Sequence, residues 1–341
     1  MANMNDVAKI AGVSRGTVSN YINGVKIKKE SQKKVEQAIQ ELDYVPNQAA
    51  RALKTQKSNY VVFILPTIWT PFFSELTYYL QLELNKCGLK MLLCNSQDDY
   101  IQELEYIRMA QEQKVTGIIT ISYSDITPYL TANLPIVSIE RYFDDTVPFI
   151  TSDNFGGGQL AAQKLQELGS QRLLMVVRKI SHNLGLQERQ NGFISYCQKA
   201  HMPFDVYLDE GNSAGFRARV FRFFENNYQA NIPYDGIFAA TDRYADYCYD
   251  ALVQKTQWHL PEDIQLIGFD GSKSYQNEAL KISTIRQPVA QIAELSVAEL
   301  IKLGSDRKKS KKTKYILPIT FLAAQTTREK RKKNEEKKRR Q

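Results

Sequence analysis

The stretch AGVSRGTVSNYING, residues 11–24, puts one guanidinium among short hydrogen-bonding side chains at spacings that suit a nucleic-acid surface. Gly12 falls where a tight turn between two helices needs a backbone that only glycine adopts freely, and Ser14 then opens the second helix. Arg15, Gly16, Thr17 and Asn20 face outward from the N-terminal half of that helix. A helix presented in this way enters the major groove with its first turns at the base edges. Ser14, Thr17 and Asn23 suit phosphate oxygens, which fix register without reading sequence. Arg15 matches the bidentate edge of guanine, and Asn20 that of adenine.

Catalytic chemistry finds little support. The three histidines, His182, His201 and His259, sit in no metal or triad spacing. The run Gly156–Gly158 lacks the Lys-Ser/Thr of a phosphate loop. Cys87, Cys94, Cys197 and Cys248 are scattered without paired spacing, which predicts reduced thiols rather than a zinc site or a disulfide framework. The sequence therefore predicts no enzyme, no cofactor and no metal.

These groups must be positioned by something larger than one module. A chain of 341 residues suits a small domain plus one or two larger ones, and 43% hydrophobic residues is ordinary for a folded protein. The net charge of +8 is unevenly placed: residues 1–58 carry 10 basic against 5 acidic side chains, residues 328–341 carry 9 against 3, and the middle is mildly acidic. Basic ends suggest an anionic partner, although the C-terminal run reads equally well as a solvated surface. No stretch approaches the ~20 apolar residues of a membrane span, and the N-terminus lacks the apolar core of a signal peptide, so the expected location is the cytoplasm.

Residues 1–45 read as three short helices, with apolar faces at Val7, Ile10 and Ala11, at Val18 and Ile22, and at Val35, Ala38, Ile39 and Leu42. Asn3 with Asp6 is a helix-start signature. From Tyr60 the texture changes. Buried strands are predicted at 60–66, 90–96, 117–122, 134–140, 172–177, 236–240 and 264–270, alternating with helices at 72–88, 100–114, 158–168 and 244–252. Repeated units of this kind imply parallel sheets covered by helices, and two successive runs imply two lobes. A ligand between them would meet loops at the strands' carboxyl ends. Between head and lobes, 47–54 is helical in propensity but about two turns is too short to be stable alone.

Residues 5–24, then YVPNQAARALKTQKS (44–58), resemble the head and hinge of the lactose-repressor/galactose-repressor (LacI–GalR) family. The likeness continues through TPFFSEL (70–76), IVSIER (136–141), TSDNFGGG (151–158), RQNGF (189–193), IFAATD (237–242), PEDIQLIGFDG (261–271) and TIRQP (284–288), and covers about residues 3–325. It implies an α/β chain in four parts: an all-α helix-turn-helix head (1–45), a hinge helix and linker (46–58), a two-lobed periplasmic-binding-protein-like core with parallel sheets (59–327) and a basic tail (328–341). It also implies a homodimer bound to a near-palindromic operator. The chain would cross between the lobes three times, with KYILPITFL (314–322) rebuilding the first lobe.

By the same resemblance, Leu53 is the hinge wedge for the minor groove. Phe72, Phe73, Glu140, Arg141, Asp153, Arg189, Thr241 and Asp270 fall at effector positions. Asn20 departs from the arginine or histidine of many members, and Thr241 from the asparagine of several. The basic run replaces the family's leucine-rich tetramerising tail. The function implied is a repressor of carbohydrate genes relieved by a sugar. The alternatives are a regulator that needs a purine or phosphoprotein corepressor, and a sugar-binding module without DNA function.

Overall fold

The computed structural model describes residues 2–45, 58–129, 134–180, 183–271, 273, 275–305 and 314–329. The linker helix expected at 47–54, Leu53 with it, and the basic run from 330 onward lie outside the described residues. The chain divides into two compact units, 1–58 and 59–341.

The head begins where the sequence predicts. Asn3 accepts from the Asn5 and Asp6 backbone N–H groups, and the Asp6 carboxylate accepts from the Asn3 N–H at 2.8 Å, which opens α1 (Met4–Ala11) with a reciprocal capping box. Gly12, at φ 61°, ends it. Ser14 caps α2 (Arg15–Ile22) by accepting from the Thr17 N–H at 3.1 Å, and α3 (Lys29–Glu41) follows. Val7, Ala8, Ala11, Val18, Val35, Ala38 and Tyr44 form the head's small core. Tyr21 ties α2 to α3 by donating to Glu36 Oε1 at 3.0 Å. The face of α1 runs through Ala8 rather than Ile10, which is 45% exposed: Val7, Ala8 and Ala11 stand three and four residues apart, and Ile10 lies off that stripe.

The second unit holds two six-stranded sheets. In the first lobe, β1 (Tyr60–Leu65) lies between β2 (Lys90–Asn95) and β3 (Gly117–Thr120), followed by β4 (Ile136–Ile139) and β5 (Phe149–Ser152). In the second, β6 (Leu173–Arg178) lies between β7 (Phe204–Asp209) and β8 (Gly236–Ala239), followed by β9 (Gln265–Asp270) and β10 (Ser283–Arg286). The central strands are buried along nearly their whole length, with only end residues such as Tyr60, Arg178 and Asp270 half-buried, as strands covered on both faces must be.

On the first sheet, α4 (Pro71–Lys86) buries Leu76, Leu80 and Leu84 beside Ile292, Val297 and Leu300 of α10 (Val289–Ser305). The other face is covered by α5 (Tyr100–Glu112), through Ile107 and Ala110. The second lobe is completed by α6 (Asn154–Glu167), α7 (Leu184–Lys199), α8 (Phe216–Asn227) and α9 (Asp242–Lys255).

The chain crosses between lobes after β5, after β10, and between β11 (Lys314–Leu317) and β12 (Thr320–Leu322). KYILPITFL therefore does not belong to the first lobe alone. Its first half pairs parallel with β5, and its second half pairs antiparallel with β10. Pro318, between the halves, has no N–H with which to extend a ladder, and the chain leaves the first sheet there.

Candidate functional site

A cavity of about 620 Å³ opens between the lobes at the carboxyl ends of the strands, where open α/β sheets bind ligands. The first lobe supplies Trp69, Phe72 and Phe73 from the β1–α4 turn, and Tyr123 and Glu140 from beyond β3 and β4. The second supplies Arg178, Arg189, Thr241 and Asp270, and the crossing supplies Gln287.

The triple glycine of 156–158 positions the arginine. Gly156 N–H donates to the Asp153 carboxylate at 2.8 Å. A Cβ on Gly157 would press on the Phe269 ring, and one on Gly158 would strike the Arg189 carbonyl. A Cβ on Gly192 would likewise strike the Phe155 carbonyl. These glycines let α6 and α7 cross with backbones in contact, which sets Arg189 at the cavity floor. They are a packing device, and no phosphate loop is built from them.

Arg189 is buried, and its Nε and Nη1 are engaged. Its Nε donates to Asn154 Oδ1 at 2.8 Å, its Nη1 to the Ala240 carbonyl at 2.7 Å and to Asp270 Oδ1 at 3.4 Å, and the guanidinium lies 3.6 Å above the Phe269 ring. Asn154 Nδ2 donates onward to Glu140 Oε2 at 3.2 Å. Gln287 Nε2 donates to Asp270 at 2.8 Å while its Oε1 accepts from Ser152 Oγ at 2.7 Å. One hydrogen-bonded path thus runs from Glu140 in the first lobe through Asn154, Arg189, Asp270 and Gln287 to Ser152 at the crossing. Burial pushes the Asp270 carboxyl up to about 6 against the opposing pull of Arg189.

Glu140 directly follows β4 and Asp270 ends β9, with φ of 64° and 117°. Non-glycine residues held at positive φ cost about 1–3 kcal/mol and gather at functional sites. Here both place a carboxylate in the cleft.

The lobes are also joined directly. Glu75 on α4 accepts two hydrogen bonds from Arg286 of β10, Nη1 to Oε2 at 2.7 Å and Nη2 to Oε1 at 2.5 Å, a bidentate ion pair between lobes.

Of the expected effector residues, Phe72, Phe73, Glu140, Arg189, Thr241 and Asp270 line this one cavity. Phe72 is mostly core, and Thr241 also caps α9, accepting from the Tyr244 N–H at 3.2 Å. The structure places the other two outside it. Asp153 does not line the cavity, because its carboxylate is spent capping α6. Arg141 is turned away toward Asp125, 4.0 Å off, and the Phe143 ring. Sequence reasoning missed Asn154 and Gln287, each inside a recognised motif, and Trp69, Tyr123 and Arg178, whose placement at strand ends was the available signal.

On the head, Arg15, Gly16 and Asn20 are exposed on α2 and Thr17 is half-buried. Ser14 Oγ lies 2.9 Å from Thr17 Oγ1, and the Asn23 amide donates to the Ser19 carbonyl at 2.7 Å. In the free protein, three of the polar groups expected at phosphates are thus partnered locally. Among the described residues no group of His, Cys, Asp and Glu has metal-ligand geometry, and no helix is long and apolar enough to cross a membrane.

A helix-turn-helix head followed by a two-lobed core with a polar cleft defines the class of ligand-responsive DNA-binding regulators. The comparisons with known proteins give the family. Residues 3–47 match the family model described as bacterial regulatory proteins, lacI family, and residues 58–320 match that of periplasmic binding proteins and sugar binding domain of LacI family. The chain belongs to the LacI family of bacterial transcription regulators.

It is 33% identical over 329 residues to the sucrose operon repressor of Streptococcus mutans, covering 96% of this chain and 99% of that protein. It is 32% identical over 333 residues to the ribose operon repressor of Bacillus subtilis, covering 96% and 99%. In fold it is similar to the lac repressor dimer bound to operator and the anti-inducer ONPF, at TM-score 0.81 and 19% identity, covering 95% and 98%. The head and its family match remove the reading of a sugar-binding module without DNA function.

Proposed function

We propose that the protein is a cytoplasmic, homodimeric repressor of carbohydrate genes that a sugar in the interlobe cleft releases from its operator. The observation that carries this reading is the cleft floor. Glu140, Arg189, Asp270 and Gln287 present both donors and acceptors beside the aromatic rings of Phe72 and Phe73. That combination suits a neutral polyol, whose hydroxyls both give and accept hydrogen bonds and whose ring has apolar faces. The groups serve as binders rather than catalysts. The repressors of the sucrose and ribose operons among its relatives agree with a carbohydrate ligand.

At the DNA, Arg15 and Asn20 read base edges, Ser14, Thr17 and Asn23 exchange local partners for phosphates, and Leu53 wedges the minor groove from the hinge. The hinge segment is too short to hold a helix unaided, so DNA and the same segment of the partner subunit support it. A ligand that moves one lobe against the other then acts on operator affinity through the spacing of the two hinges. Leu53→Ala tests this route. It should weaken binding to the operator by about 2 kcal/mol or more, the scale of one buried leucine, and leave random-sequence DNA, held electrostatically, nearly unchanged. Equal losses on both DNAs at one salt concentration, or none on the operator, would remove the wedge.

A further inference from the structure

The turn between β1 and α4 is well fixed, yet it offers its largest side chain to solvent. The Trp69 N–H donates to Thr67 Oγ1 at 3.1 Å, Ser74 Oγ donates to the Ile68 carbonyl at 2.6 Å, and Thr70 caps α4. Trp69 itself is 89% exposed while lining the mouth of the cleft. A scattered exposed aliphatic needs no explanation. An indole held out by an ordered turn, on the wall of a cavity, is a platform for the apolar face of a ligand.

The second lobe adds polar groups to the same cavity. Asp246 and Tyr247 lie one turn beyond Asp242 on α9, a rise of about 6 Å, and Lys281 follows from the loop before β10. This set lines the same cavity as the floor formed by Arg189, Asp270 and Gln287. The floor already offers the donors and acceptors that one ring needs, and a cavity of about 620 Å³ leaves room beyond it.

We propose that the cleft takes a two-ring sugar, its inner ring on the Arg189–Asp270 floor and its outer ring stacked on Trp69 with hydroxyls donated to Asp246. Trp69 then selects two-ring over one-ring ligands. This rests on the sugar reading of the cleft, and the experiment separates the two.

The chain has two tryptophans, and the other, Trp258, donates from its indole to the Tyr228 carbonyl in the second lobe. Trp258→Phe therefore leaves Trp69 as the sole indole emitter in the full-length protein. Calorimetry and emission spectra are recorded with sucrose, maltose and cellobiose against glucose, fructose and ribose, and calorimetry is repeated on Trp69→Ala. The expected result is that at least one two-ring sugar binds and shifts Trp69 emission. Trp69→Ala should weaken that sugar tenfold or more while changing any one-ring affinity less than twofold. Binding of one-ring sugars alone, or equal effects of Trp69→Ala on both classes, overturns the two-ring assignment and keeps the sugar reading. Binding of none of the six overturns both.

Discussion

The two lobes share one strand order, each with its first strand flanked by its second and third, and each closed by a strand from the C-terminal segment. They face the cleft with different chemistry. The first lobe offers mostly rings, from Trp69, Phe72, Phe73 and Tyr123, with the carboxylates of Asp98 and Glu140, and the second offers mostly charges, Arg178, Arg189, Asp242 and Asp270 among them, with the rings of Phe216, Tyr244 and Tyr247. Glu140 is the first lobe's charged contribution to the floor, and it is tied to the second lobe through Asn154. The sheets therefore set where a ligand sits, and the strand-end loops set what it is. A cleft that joins rings to charges offers a partner to each kind of surface a sugar carries, which is the reading proposed above.

The largest effect should follow from disturbing the charged lobe. Arg189→Ala leaves Asp270 without its cation and Asn154 Oδ1 and the Ala240 carbonyl without their donor. Stability should fall by roughly 3–5 kcal/mol, the cost of breaking a buried pair on one side, read as a lower urea midpoint at unchanged slope. Adding Asp270→Asn should recover part of the loss. An unchanged midpoint in the single variant would mean that the second lobe's charges do not hold its floor together.

A smaller effect is expected from the link between lobes. Glu75→Gln replaces a bidentate charged contact with a neutral one and should cost about 1–3 kcal/mol. Because Glu75 and Arg286 act as a unit, the double variant Glu75→Gln with Arg286→Gln should lose clearly less than the sum of the singles. Strict additivity in urea unfolding would show that the lobes are held by other contacts.

A further effect, spread over about two pH units, is a matter of one proton. Asp270 is raised from its ordinary 3.8 to about 6 by burial. Between those values the folded state keeps a proton that the unfolded chain releases, so this group makes stability fall as pH rises through that window. Asp270→Asn should abolish that contribution. Ligand hydroxyls donate to the ionised carboxylate, so sugar affinity should rise with pH up to about 6 and level off above, by at most tenfold per pH unit. Affinity that falls over the same range would place Asp270 as a donor instead.

Much of this arrangement is legible in the sequence. The capping pair Asn3–Asp6, the turn at Gly12 and the apolar runs that become β1, β3, β8 and β9 follow from local chemistry, and the structure keeps them. Where packing between distant segments decides, local reading fails. The helix expected from Gly158 starts at Asn154, because glycines with poor helix propensity are stabilised there by the crossing with α7. β7, α7 and α8 carry weaker local patterns and were not foreseen. At the site, Asp153 and its neighbour Asn154 differ by one position in the chain. Only the geometry shows that the first is spent as a helix cap and the second bridges the lobes.

The central claim is that a sugar gripped between the lobes governs the head's hold on DNA. The most direct test is anisotropy of a labelled promoter fragment from beside the protein's own gene. The fragment is titrated with the full chain, with and without a saturating sugar chosen by calorimetry, and random DNA at the same salt serves as the reference. The account predicts that the sugar weakens binding to the promoter fragment tenfold or more, which needs only ~1.4 kcal/mol, and leaves random DNA unaffected. A sugar that saturates the cleft without changing promoter affinity, or that strengthens it, would contradict the account.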